Sequence, residues 1–371
     1  MAASRPTVFL HIGVAKTGTT YLQALLWHNR RLLEQQGLRY PGRLPADHFR
    51  ASVDLRQRPF AGEHDTLVPG SWDAIAAAAA SAPDRAVISH ETLTRTRADQ
   101  VRRTARTLAS TDLHVVLTVR DLARQVPAVW QEHVKNRGVS GYERFLYDIA
   151  ERPGSRRYRH FWEAQDVLDV LDRWSAVVPP ERVHVVTVPQ PGAARGLLWE
   201  RFASVLGVDP TAVDTDVSTS NVSLGVAEAE LLRRMNPVLR RRLDWPTYER
   251  EVKIAMAERL AARPGSARLT VPEERREWVR ERAERMIAGL AKGGYDIVGD
   301  LEELRPVFDT RPVVMPGDVP DRQLVGIAAE CVADLLAPGQ AQGRWRQRLL
   351  PAPGTRPRRL LRRLRRAVQG R

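Results

Sequence analysis

Cysteine is almost absent from this sequence: Cys331 is the only one in 371 residues. That excludes a disulfide-stapled scaffold and any metal centre built on several thiolates. Cys331 sits in the helical-looking run 328–336, where a buried, inert thiol is expected rather than a nucleophile. Long apolar runs are missing too. No stretch reaches the roughly 18 apolar residues of a membrane-spanning helix, and the first seven residues lead straight into a short apolar strand without a signal-type core. The expectation is a cytoplasmic protein. No His, Cys, Asp or Glu cluster has metal-ligand spacing, so no metal is expected. Lysine is scarce as well. Lys16, Lys135, Lys253 and Lys292 are the only lysines among 58 basic residues, so each stands out against an arginine background.

What is plentiful is arginine, and its placement matters more than its number. The net charge is +14, but residues 351–371 hold eight arginines and no acid, which leaves +6 for the other 350 residues. The body is mildly basic, enough to attract an anionic small molecule but no nucleic-acid footprint, and no nucleic acid is expected as a partner. The tail places Leu360, Leu361, Leu364 and Val368 along one stripe among arginines. A short basic amphipathic helix over 356–368 suits peripheral contact with an anionic bilayer, and a solubilising tail is the alternative.

Residues 7–12 are an almost wholly apolar run ending at Gly13, as a buried parallel strand would be. A glycine-containing turn follows, then a helix with Leu22, Leu25, Leu26, Leu32 and Leu33, stopped by Gly37. Residues 44–70 read as an irregular surface excursion and 72–81 as an alanine-rich helix. Further strands are expected at 85–89, ending in His90-Glu91-Thr92, at 114–119, ending in Arg120-Asp121, and at 182–188, closed by Pro189 and Pro191. Helices fall at 97–109, 122–137 and 162–177. This alternation predicts an α/β fold, a three-layer arrangement with a mainly parallel central sheet, over about 7–210. From 224 to about 345 the pattern is helical. The expected organisation is one domain over 1–350 followed by the basic tail 351–371, with Pro351-Ala-Pro-Gly-Thr-Arg-Pro357 as the boundary.

The strongest motif is His11-Ile-Gly-Val-Ala-Lys-Thr-Gly-Thr-Thr20, between a strand and a helix. Backbone N–H groups of such a turn, backed by the helix N-terminus, form an anion site, and Lys16 adds a mobile full charge. It is not a Walker A loop, which places Gly-Lys-Ser/Thr at the helix start.

The order Lys16-Thr-Gly-Thr-Thr20 resembles the 5′-phosphosulfate loop of sulfotransferases that use 3′-phosphoadenosine-5′-phosphosulfate (PAPS), especially their bacterial branch, which has a P-loop-type fold. The resemblance implies that Lys16 contacts the bridging oxygen and the transferring sulfuryl group, while Thr17, Gly18, Thr19 and Thr20 cradle the 5′-phosphate. It implies PAPS as cofactor, no metal, and a small-molecule, glycan or glycolipid acceptor. An arginine after the third core strand, with a serine about eight residues on, grips the 3′-phosphate in that family. Arg120 fits; the serine's place is taken by Ala128, and no serine or threonine lies between Arg120 and Arg137. Arg124 and Lys135 are the cations available to compensate. The family's glycan-directed members carry a glutamate just past the second core strand as general base, which implies Glu91, with the adjacent His90 as competitor. Strand-end neighbours point opposite ways, so one of the two is expected to face the cleft.

Other residues carry smaller expectations. His11 is expected to be a hydrogen-bonded core histidine and His133 to pack beside Trp130. The aromatic-basic run Tyr158-Arg-His-Phe-Trp162 is a candidate acceptor lining, and the arginines of Leu231-Leu-Arg-Arg-Met-Asn236 are candidates for the 3′-phosphate. Asn221-Val-Ser223 matches a glycosylation sequon without an export signal to give it meaning. Two other function classes remain open. One is a P-loop nucleotide kinase using ATP and magnesium, with Glu91 as its acidic residue. The other is a non-catalytic module that binds membrane or nucleic acid through the tail.

Overall fold

In the computed structural model of the chain, residues 5–58, 65–217 and 223–336 are described. The tail 351–371, its stretch 356–368, the boundary at Pro351 and Asn221 of the sequon lie outside them. The chain forms two compact units, Met1–Val319 and Pro320–Arg371. In the second, the helix Asp321–Leu336 carries Cys331, which is partly exposed rather than buried as expected.

Six strands of the first unit form one sheet: β1 (Thr7–Gly13), β2 (Leu38–Arg39), β3 (Arg85–Ser89), β4 (Asp112–Val119), β5 (Val183–Thr187) and β6 (Asp296–Val298). Their order is β2-β3-β1-β4-β5-β6, and every neighbouring pair is parallel. Side chains of β1 alternate between two cores, as the two-residue repeat of a strand requires. Val8, Leu10 and Ile12 join Ala51, Trp72, Ile75, Val170, Trp174 and Met286 on one face. Phe9 joins Leu22, Leu25, Leu26, Trp199 and Phe202 on the other. Helices therefore cover both faces, which gives the three layers expected of an α/β protein. Each large side chain buried this way contributes roughly 1.5–3 kcal/mol against the entropy of ordering the chain.

The topology fixes where a ligand can sit. From β1 the chain runs out to β2 and back to β3 on one side, then crosses to β4 on the other, so a crevice opens at the carboxyl edge around β1. Residues 14–18 follow β1, His90 and Glu91 follow β3, and Arg120 and Asp121 follow β4. The three predicted site segments thus emerge at one edge.

Three elements differ from the sequence expectation. The stretch expected to be irregular contains the helix Asp47–Arg56, whose buried residues include His48 and Ser52 beside Ala51, Val53 and Leu55. The expected helix over 162–177 is two helices, Arg156–Gln165 and Val167–Ser175, divided where the Asp166 side chain caps the second by accepting from Asp169 N–H. The C-terminal part is not wholly helical, because β6 extends the sheet from it.

Candidate active site

The loop after β1 is shaped by positive-φ residues. Gly13 has φ 101, Lys16 φ 73 and Gly18 φ 88. At Gly13 a Cβ would lie 2.9 Å from Glu91 Cβ, so glycine is required where the loop entry meets the end of β3. Lys16 is a lysine in the left-handed region, a conformation that costs about 1 kcal/mol and clusters at functional sites. Its side chain is therefore aimed by the loop. Under the loop runs a polar chain: the Thr17 hydroxyl donates to Val14 O and lies 2.6 Å from Thr118 Oγ1. Thr118 Oγ1 in turn lies 3.4 Å from His11 Nε2, and His11 Nδ1 lies 2.7 Å from Ser89 Oγ. Burial pushes His11 down to about 4, so it is neutral and works as the expected core histidine. This chain commits the Thr17 side chain to the floor of the loop. Gln125 fastens the rim by donating to Ala15 O. The helix Thr19–His28 opens behind Gly18 with no side-chain cap and no acid in its first turn, which leaves its first N–H groups for an anion.

Lys16 meets a partner that the sequence did not suggest. Its Nζ lies 3.1 Å from Oε2 of Glu132, on the helix Leu122–Lys135. Lys135 Nζ reaches the same oxygen at 3.8 Å, and Lys253 Nζ reaches Oε1 at 3.4 Å. Three of the chain's four lysines thus gather on one carboxylate, an excess of two positive charges. Burial would raise Glu132, but Lys16, then Lys253 and Lys135, outweigh it and hold the carboxyl down at about 2. Lys135 is pushed down to about 8 by burial and by Lys16, with Glu132 opposing and Lys253 adding to the shift. Lys253 arrives on the π-helical segment Glu249–Met256, a rare geometry found frequently at functional sites. The structure therefore places Lys135 with Lys16. It is buried rather than on a solvated helix face.

Glu91 and His90 diverge as strand neighbours must. Glu91 Oε2 accepts from Gln23 Nε2 at 3.1 Å, across from the loop helix Thr19–His28. Burial would raise the Glu91 carboxyl, but the charge of His90 when that ring is protonated in acid, its own backbone N–H and Gln23 bring it below the usual value, so it is ionised at neutral pH. His90 turns the other way, toward the helix Asp47–Arg56. Its Nδ1 accepts from Thr92 N–H at 3.2 Å and caps the turn Glu91–Arg95, while its ring packs on Phe49 at 5.2 Å. With that nitrogen used as an acceptor, and with burial lowering the ring's pKa, His90 is neutral.

Arg120 faces a cavity of about 380 Å³ lined also by Arg124, Ala128, Gln131, Arg268 and Asp309. Gln125 Oε1 accepts from Arg120 Nε at 3.0 Å, and Arg124 O accepts from Nη2 at 2.9 Å. Among the described residues Nη1 has no hydrogen-bond partner. Burial, then Arg124, lowers Arg120 to about 10; Asp121 opposes this and Arg268 adds to it. Arg124 is committed within the fold, donating to Asp121 and to the carbonyl oxygens of Pro189 and Val188. The cation that does join Arg120 is Arg268, which sequence reasoning missed. One arginine among 54 in a loop near Gly265 carries no signal of its own. The arginines of 231–236 go elsewhere. Arg233 and Arg234 pair with Glu230 at 2.5 and 2.7 Å.

The aromatic run 158–162 serves mainly as packing. Trp162 Nε1 donates to Ile149 O at 2.9 Å, and Phe161 and Trp162 are buried against each other. His133 packs less closely than expected and is partly exposed beside the buried Trp130. Among the described residues no group of His, Cys, Asp or Glu is arranged to hold a metal ion, and no helix is long and apolar enough to cross a membrane.

Fold and site together define a three-layer α/β protein with a parallel central sheet and a cation-rich crevice at the carboxyl edge of that sheet. No family model matches the chain, and no curated protein matches it. A solved structure, the crystal structure of a sulfotransferase from Alicyclobacillus acidocaldarius, is similar at 17% identity. The likeness covers 66% of this chain and 99% of that chain, with a TM-score of 0.38.

Proposed function

We propose that the protein is a sulfotransferase that moves a sulfuryl group from PAPS to a hydroxyl or amine of a carbohydrate, glycolipid or small-molecule acceptor. The observation that carries this reading is the convergence of Lys16, Lys135 and Lys253 on Glu132 beside the loop after β1. An excess of two positive charges at the mouth of a strand–loop–helix anion site calls for a ligand with more than one negative charge. The cavity at Arg120 and Arg268 gives a second anion position, and PAPS has anionic groups at both its 5′ and 3′ ends. PAPS supplies an activated sulfuryl group whose leaving group is a bisphosphate.

The protein's part is positioning and electrostatics. The open N–H groups behind Gly18 hold the 5′-phosphate. Lys16, released from Glu132, counters the charge that grows on the phosphate oxygen as the S–O bond breaks. Glu91, ionised and steadied by Gln23, takes the proton of the attacking hydroxyl or amine as the new bond to sulfur forms. Arg120 and Arg268 bind the 3′-phosphate in place of the serine that Ala128 replaces.

Calorimetric titration tests this. Wild type is expected to bind 3′-phosphoadenosine-5′-phosphate without metal, and Lys16→Ala to bind it at least about tenfold more weakly. Binding of ATP with magnesium, in preference to the bisphosphate, would make the protein a nucleotide kinase instead.

A further inference from the structure

Among the described residues the guanidinium of Arg56 has no counter-ion. Arg56 ends the helix Asp47–Arg56 and is largely buried, and its Nε is enclosed without a hydrogen-bond partner among the described residues. No carboxylate of the described residues lies within ion-pair distance of it. Of the arginines around it, Arg58 is exposed to solvent, and three others are matched by acids. Arg95 pairs with Glu163 at 3.3 Å, Arg97 with Asp99 at 3.4 Å, and Arg173 with Asp169. Arg95 further donates to His160 O at 2.7 Å, and Arg173 donates to Thr94 O at 2.6 Å and Glu163 O at 2.9 Å. These bonds fix the surroundings of Arg56 without neutralising it. Burial, then Arg95, lowers Arg56 to about 10, against the opposing pull of Glu163.

A guanidinium largely withdrawn from water without an acid beside it is expensive, and a ligand can make up the loss. The location says which ligand. Arg56 sits one turn beyond Ser52 and two beyond Phe49, which both touch His90. The helix Asp47–Arg56 and the helix Arg156–Gln165 both pack on the turn Glu91–Arg95. The charge therefore lies on the His90 side of the strand end, with Glu91 the next residue along the chain, and apart from the Lys16 and Arg120 positions.

We infer that Arg56, with Arg95 beside it, binds an oxyanion substituent of the acceptor (a carboxylate, sulfate or phosphate group), so that the acceptor is an acidic molecule. The inference rests on the sulfotransferase reading for the word acceptor; the oxyanion site itself does not depend on it. A planar guanidinium suits this group because it can give two parallel N–H bonds to two oxygens.

Selenate, a sulfate analogue with an anomalous signal, locates the site. Crystals of the full chain soaked in selenate are expected to show a peak within hydrogen-bond distance of Arg56, and crystals of Arg56→Gln to lose that peak while keeping any at Lys16 or Arg120. Peaks at Lys16 and Arg120 alone, or none, would overturn the inference. Melting in chloride buffer supplies a second readout. Arg56→Gln removes an uncompensated charge and is expected to melt no lower than wild type, whereas a structural arginine would lower the melting temperature on replacement and sink the proposal. The bisphosphate titration stands apart from both. Its failure with a selenate peak at Arg56 would overturn the sulfotransferase reading alone, and its success without that peak would overturn the acidic acceptor alone.

Discussion

Lys16 and Glu132, 116 residues apart in sequence, form an ion pair with Nζ 3.1 Å from Oε2. The pair holds the loop lysine in place while the loop has no anion, and it shares its carboxylate with two further lysines. An incoming phosphate or sulfate group competes with Glu132 for the same ammonium. Replacing Glu132 should therefore separate two effects. Glu132→Gln leaves three ammonium groups facing one another, and the protein without ligand is expected to lose about 1–2 kcal/mol, a value reduced for the partial exposure of the pair. The same change removes the competitor, so 3′-phosphoadenosine-5′-phosphate should bind more tightly and restore most of the lost melting temperature. Thermal unfolding with and without the bisphosphate measures both. A variant that is less stable and also binds more weakly would show that Glu132 orders the site and does not compete for Lys16.

Lys135 gives the cluster a signature in alkali. Its folded-state value is about 8, below the ordinary lysine value of 10.5. Between those two values the unfolded chain holds more protons than the folded one, so stability rises with pH across that window. Wild type should gain stability from pH 8 to 10 relative to Lys135→Met, which has no group to titrate. Urea unfolding at several pH values reads the difference, and parallel curves for the two proteins would contradict the burial of a charged Lys135.

The core strands, the anion loop and the position of Arg120 are visible in the sequence because each depends on neighbours in the chain. β1, β3, β4 and β5 are largely apolar runs, and Gly13 and Gly18 punctuate the loop. The helix Asp47–Arg56 is not visible, because much of its buried face is polar and its hydrogen bonds come from distant residues. His48 Nδ1 accepts from Ser89 N–H at 3.2 Å, and its Nε2 donates to Pro41 O at 2.7 Å. β6 has three residues, too few for a two-residue repeat to show. Glu132 beside Lys135 reads as an ordinary i, i+3 surface pair. Only the fold brings in Lys16 and Lys253, and the rarity of lysine was the single hint that they belong together. Arg268 had no such contrast among so many arginines.

Arg120 and Arg268 should distinguish nucleotides by the 3′-phosphate alone. Arg268→Ala is expected to weaken 3′-phosphoadenosine-5′-phosphate by about tenfold or more while leaving adenosine 5′-monophosphate nearly unchanged. Ala128→Ser, on the wall of the same cavity, adds a hydroxyl donor and should tighten the bisphosphate a few-fold. Titration of both nucleotides against both variants checks this. Equal losses for the two nucleotides in Arg268→Ala would place the 3′-phosphate elsewhere.

Glu91 and His90 offer the sharpest separation, since adjacent residues are assigned to chemistry and to structure. Glu91→Gln keeps the shape and the contact with Gln23 but cannot take a proton, so kcat should fall by about 100-fold or more while bisphosphate affinity holds. His90→Ala removes the acceptor that caps the turn Glu91–Arg95 and should cost about 1 kcal/mol of stability with most activity retained. The pH profile gives the decisive readout. A base held below the ordinary carboxylate range leaves the rate flat through neutrality, with a fall only in acid; burial also lowers His90, so a fall due to His90 would lie below the usual histidine value, and the profile is read in each variant. A fall in rate that persists in Glu91→Gln, with activity lost in His90→Ala, would transfer the proton-accepting role from Glu91 to His90.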